Sequence, residues 1–172
     1  HGLGYASWAA HALRSALAPR GIGLWSLDHR GTGRSEPGAS PLGIDLLAED
    51  AAAVAAVLPG PVDLLGYSMG GYVAQTLVRT RPGPVVGLIL LGTSAGGPGS
   101  APVPETTRRA WLEAAGSAPE EYARRTMPLS FREGWPEDHA DEYDRVLAAR
   151  LEHPTPAEVW QAQYEACERF LA

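Results

Sequence analysis

The chain has 172 residues, 45% of them apolar, with 20 acidic against 14 basic side chains and a net charge of −6. That length holds one domain with a sizeable core; the basic residues are all arginine and form no stripe, which excludes a nucleic-acid grip. No run approaches the ~18 apolar residues of a membrane span, and the single cysteine, Cys167, excludes an internal disulfide.

The chain opens on His1-Gly2-Leu3-Gly4. Residues 6–18 then predict a helix ended by Pro19. Residues 22–27 predict a strand that leads into Asp28-His29-Arg30-Gly31-Thr32-Gly33-Arg34-Ser35. The glycines of this loop invite a phosphate-cradle reading, but no G-x-x-x-x-G-K-[ST] accompanies them and the chain has no lysine. The better reading is a structural loop in which Arg30 ties neighbouring turns together. Residues 44–58 predict an alanine-rich helix, with Asp45, Glu49 and Asp50 favouring its N-terminal half and Pro59-Gly60-Pro61 stopping it.

Residues 62–65 suit a buried strand, Gly66-Tyr67-Ser68-Met69-Gly70 follows, and residues 71–80 predict a helix. Strand, G-x-S-x-G and helix in that order is the layout of a nucleophile elbow. Such a turn strains the serine backbone and leaves no room for a side chain at either glycine. It holds a hydroxyl at the tip of a sheet beside a helix N-terminus. Ser68 is therefore the candidate nucleophile, with Gly66 and Gly70 as structural glycines. Residues 85–91 form the longest apolar run and predict a buried parallel strand. Alternating strands and helices imply a parallel sheet covered on both faces.

After Gly92 the texture changes. Gly96-Gly97-Pro98-Gly99-Ser100-Ala101-Pro102 predicts a linker, and only helical patterns follow. These cover residues 105–115, a helix opened by the capping box Ser117-Ala118-Pro119-Glu120, residues 136–151, and a last helix over 156–172. The last opens on a second box, Thr155-Pro156-Ala157-Glu158, with proline at the first helical position. It places Val159, Trp160, Gln163, Tyr164, Cys167, Phe170 and Leu171 near one face, which makes Cys167 a packed thiol. His11 reads as a surface or packing residue, and His139 and His153 lie among charged residues. No pair of histidines has metal-ligand spacing, so neither metal nor cofactor is expected.

Three of these segments share one pattern. H-G-x-G at His1, D-x-R-G-x-G-x-S at Asp28 and G-x-S-x-G at Gly66 occur in the order and at the spacing of the α/β-hydrolase fold superfamily, and the chain resembles its esterase, enol-lactonase and perhydrolase groups. The similarity covers residues 1–97 well and the rest loosely. It implies an α/β fold in which residues 1–97 supply a partial core of strands four to six, with oxyanion loop and elbow. Residues 98–172 would form an incomplete helical cap. Strands one to three and seven to eight are expected to be missing, and with them the family's acid and histidine, so the resemblance implies an internal fragment. It also assigns the Leu3 and Met69 backbone N–H groups to the oxyanion hole, and gives His1, Gly2, Asp28, Arg30, Gly31 and Gly33 roles in loop geometry. His29 is expected to be structural, because the family's catalytic histidine lies far downstream. Trp111, Phe131, Trp135 and Trp160 are candidates to line the acyl pocket, or equally to pack the cap's own core.

The expected function is hydrolysis of small esters or lactones through an acyl-enzyme in the intact parent protein, on a small-molecule substrate, without nucleic acid or membrane, in the cytoplasm. Thioesterase, perhydrolase, carbon–carbon hydrolase and acyl transfer use the same elbow and stay open. The alternative is a non-catalytic binding or receptor module of the same fold. The fragment itself is expected to be inactive, since loss of the histidine from a serine triad costs about six orders of magnitude in turnover. Strand edges facing the empty third position are expected to make it poorly soluble.

Overall fold

Two strands and eight α-helices organise the computed structural model, which describes all 172 residues. α1 spans His11–Leu17, α2 Ile44–Val57 and α3 Met69–Thr80. β1 is Val62–Tyr67 and β2 is Val85–Leu91. α4 (Glu105–Ala114), α5 (Pro119–Thr126), α6 (Trp135–Asp138), α7 (Ala140–Glu152) and α8 (Ala157–Leu171) complete the chain.

β1 and β2 pair in parallel, with Val62 opposite Val85 and Tyr67 opposite Leu91. A parallel pair needs a crossover, and α3 supplies it. α2 ends at Val57, two residues before Pro59: Leu58 takes the extended conformation that a following proline imposes. The main core joins Ile44, Leu47 and Ala48 of α2, Met69, Tyr72, Val73 and Leu77 of α3, and Ala166 and Cys167 of α8. A second, smaller cluster of Ala123, Met127 and Leu147 holds the later helices together.

Several expectations are corrected. Residues 22–27 form no strand. A strand exists by pairing, and the only sheet here is β1–β2, so this segment stays unpaired and leaves Trp25 67% exposed. Strands 62–67 and 85–91 do form, but helices do not cover both faces. Val86 is 71% exposed, and Leu88, Ile89, Leu90 and Leu91, which alternate between the two faces, are also exposed, because β2 pairs only with β1 and is incompletely covered on both faces. The first helix is broken into short 3-10 turns on either side of α1. The helix expected over 136–151 divides at His139 into α6 and α7.

Neither capping box forms. Pro119 forces Ala118 into the extended region, ψ 146°. Ala118 therefore becomes the cap, and the Ser117 hydroxyl donates back to the Ala114 carbonyl. At the second box Pro156 is itself extended and caps α8 without a side-chain bond. Its carbonyl accepts the Trp160 N–H. The final helix otherwise follows the sequence: Val159, Trp160, Gln163, Tyr164 and Cys167 are buried on one face.

Candidate active site

Ser68 stands between the end of β1 and the first residue of α3, with φ 51° and ψ −122°. It is the one non-glycine residue with positive φ, a conformation that costs about 1–3 kcal/mol and persists only where surroundings over-determine it. Those surroundings are explicit. The Ser68 N–H donates to the Leu91 carbonyl at 3.0 Å, and the Ser68 carbonyl accepts from the Gly71 N–H at 2.7 Å and the Thr93 hydroxyl at 2.9 Å. Gln75 Nε2 donates to the carbonyls of both Gly71 and Ser94, tying α3 to the turn after β2.

The elbow glycines are required by close approach. A Cβ on Gly66 would lie 2.5 Å from the Gly70 carbonyl oxygen and 2.7 Å from Gly71 Cα. A Cβ on Gly70 would lie 2.7 Å from the His1 carbonyl oxygen. Bare backbone at both positions lets α3 descend onto β1 and lets the opening loop lie across the elbow. That loop reaches the serine: the Cβ position of Gly2 is 3.4 Å from Ser68 Cβ.

The Leu3 N–H makes no hydrogen bond within the protein. The Met69 N–H, first in α3, has no acceptor one turn earlier in its helix. Both N–H groups are thus free of protein partners: Met69 follows Ser68 at a helix N-terminus that favours negative charge, and Leu3 lines the same cavity as Ser68. The loop is held from behind, where the Gly4 N–H donates to Gln163 Oε1 at 2.9 Å in a fully buried contact.

Beneath it, His1 Nε2 accepts the His29 N–H at 3.3 Å and the two rings lie 4.4 Å apart. Burial pushes His29 down to about 3, so its ring is neutral at physiological pH. Asp28 accepts N–H bonds from Ser7 and Arg34. Burial alone would raise its pKa, but these bonds prevail and hold it below the usual carboxylate range. Arg30 forks onto Asp50 of α2 at 2.5 and 2.7 Å. The Gly31 N–H closes the turn onto the Ser35 carbonyl, and Gly33 lies against the Asp28 carboxylate. Asp28, Arg30, Gly31 and Gly33 thus build a scaffold around the opening loop.

Ser68 and Leu3 line a cavity of about 400 Å³. Its far wall comes from the later helices and the segment before them, through Pro102, Val103, Trp111, Tyr122, Leu129 and Arg150. Of the four aromatic residues expected there, Trp111 is present. Phe131 and Trp135 instead stack on each other at 4.4 Å, against His139 and Tyr143. Trp160 stacks on Tyr164 and lies against Gly4. Phe131 and Trp135 thus pack among the later helices, and Trp160 packs against the opening loop. The cavity lining contains no histidine and no carboxylate. Nowhere do three or more His, Cys, Asp or Glu side chains converge to hold a metal. Cys167 is buried, which pushes its thiol up to about 12, so it is no rival nucleophile.

Thr93, Gln75, Gln163, Tyr5, Tyr122 and Arg150 are absent from the sequence-based site. Thr93 sits directly after a strand, the one signal that could have marked it. Arg150 lies in a charged helix and looks there like any solvated arginine.

The profile of the alpha/beta hydrolase family matches residues 1–171. No curated protein matches the chain. Among solved structures, a thermophilic esterase from Thermogutta terrifontis, with malate bound, is 25% identical with TM-score 0.68 over 96% of this chain and 61% of its own. The enol-lactonase from Burkholderia xenovorans LB400 is 20% identical with TM-score 0.74, over 97% of this chain and 62% of that one. A further thermophilic esterase is 23% identical with TM-score 0.58, over 83% and 50%. The chain therefore spans about three fifths of the length of the first two.

Proposed function

The chain belongs to the alpha/beta hydrolase family, and from that premise we propose that the whole protein is a serine hydrolase of small esters or lactones with Ser68 as its nucleophile. One observation carries the reading: Ser68 holds a strained positive φ and lines a cavity together with Leu3, whose N–H, like that of the adjacent Met69, has no partner in the protein. In this reaction Ser68 Oγ attacks the substrate carbonyl carbon while its proton passes to a general base. Negative charge gathers on the carbonyl oxygen, and the N–H groups of Leu3 and Met69 receive it. Each such donor is worth roughly 3–4 kcal/mol in the transition state.

Collapse of the tetrahedral intermediate expels the alcohol, which takes the proton back from the base and leaves an acyl-serine. Water then repeats the attack and releases the acid. With a lactone the alcohol stays tethered to the product. No histidine or carboxylate faces the cavity, so the base and its orienting acid are contributed from outside these residues. The resemblance to an esterase at 25% identity supports the same chemistry.

The test is labelling of the full-length protein with a fluorophosphonate probe, which phosphonylates activated serines. Labelling is expected, and Ser68→Ala is expected to abolish it. Labelling that persists in Ser68→Ala would assign the nucleophile elsewhere. A folded full-length protein that never labels would favour a binding module.

A further inference from the structure

Arg150 is the only charged side chain lining the Ser68 cavity. It is 7% exposed, projects from α7, and takes part in no ion pair or hydrogen bond of the protein. Its guanidinium lies over two aromatic rings, 4.8 Å from the centre of Tyr5 and 5.3 Å from that of Tyr122. Nη2 is 3.8 Å from the Cβ position of Gly4, next to the loop that carries Leu3. Arg150 also lines a second cavity of about 350 Å³ together with Gly4 and Tyr122.

A buried cation without a counter-ion is costly. Two ring faces recover part of that cost and fix the plane of the guanidinium. They leave its five N–H donors unmatched. None of those nitrogens is sealed in protein; they reach open space, and of the two cavities that Arg150 lines one is shared with Ser68. A fixed, planar, unpaired guanidinium is the complement of one carboxylate.

We propose that Arg150 anchors a carboxylate on the substrate, so that the ester or lactone hydrolysed at Ser68 is a small monoanionic acid derivative, such as the half-ester of a dicarboxylic acid. This rests on the Ser68 reading for the reaction, but not for the binding. The carboxylate is held at Arg150 while the scissile carbonyl reaches Ser68 across a cavity with no acidic group to repel it. A neutral ester of the same length leaves the guanidinium unpaired.

The test compares monomethyl glutarate with its neutral amide of the same length, methyl glutaramate, on the full-length protein, reading the ratio of their kcat/KM values. The half-ester is expected to be preferred. Arg150→Met is expected to lower that ratio about 30-fold, chiefly through KM, and Arg150→Lys to restore part of it. An unchanged ratio in Arg150→Met, or a wild-type preference for the neutral ester, overturns the proposal. Calorimetric titration of Ser68→Ala, with Arg150 intact, covers the case in which the arginine variants do not fold. Glutarate is expected to bind at least about tenfold more tightly than glutaramide, and equal binding overturns the proposal. Carboxylate binding without any ester turnover would sink the hydrolase reading and leave Arg150 standing. Ester turnover without a carboxylate preference would do the reverse.

Discussion

At Ser68 the proposed function and stability pull in opposite directions. Its backbone lies where glycine is comfortable and serine is not, φ 51° and ψ −122°, and hydrogen bonds from Thr93 and to Leu91 hold it there. Ser68→Gly is expected to remove labelling and activity while raising stability by about 1 kcal/mol relative to Ser68→Ala, because relief of the strain outweighs the entropy lost on adding a glycine. Urea unfolding of the two full-length variants checks this; a Ser68→Gly protein less stable than Ser68→Ala would mean the turn carries no strain. The strained turn at Ser68 and its close-packed glycines were legible in the sequence because the geometry demands those residue types. Arg150 was not. A helical arginine carries no local mark of burial, and its role comes only from the rings of Tyr5 and Tyr122 closing over it.

Among the elements, α8 reaches furthest from its place in the sequence. Gln163 on its buried face accepts the Gly4 N–H, while its own Nε2 finds no partner. An amide half unsatisfied in the core is destabilising, and what Gln163 holds in return is the loop that carries Leu3, the proposed oxyanion donor. Gln163→Ala is expected to lower kcat of the full-length protein about tenfold with a smaller change in KM, since a displaced oxyanion donor is felt mainly in the transition state. An unchanged kcat would show that the loop is held without α8. Pattern alone placed α8, α3, β1 and β2 well. It failed at residues 22–27, where an apolar run was expected to be a strand and no neighbouring strand pairs with it. It failed again at Ser117, where Pro119 moved the helix start by one residue.

The whole molecule has a core and a cavity but an uncovered sheet. Val86, Leu88, Ile89, Leu90 and Leu91 of β2 are exposed, and so is Trp25 of the unpaired segment 22–27. Exposed strands with apolar faces are templates for association. The 172-residue chain by itself is therefore expected to self-associate and to hydrolyse no ester above the buffer rate, its cavity holding no base. Size-exclusion chromatography with light scattering and an ester assay on that chain read both. A monomer with serine-dependent turnover would contradict the account of the sheet and of the base together.

Local chemistry determined the elbow, the two scaffold loops and the run of helices, because close backbone approach and strained φ admit few residues and those residues can be read one at a time. Only the tertiary structure decided which side chains share the cavity. Trp111 and Arg150 reach it while Phe131, Trp135 and Trp160 pack elsewhere, because those meetings depend on how helices distant in sequence cross, and no short stretch of residues encodes that.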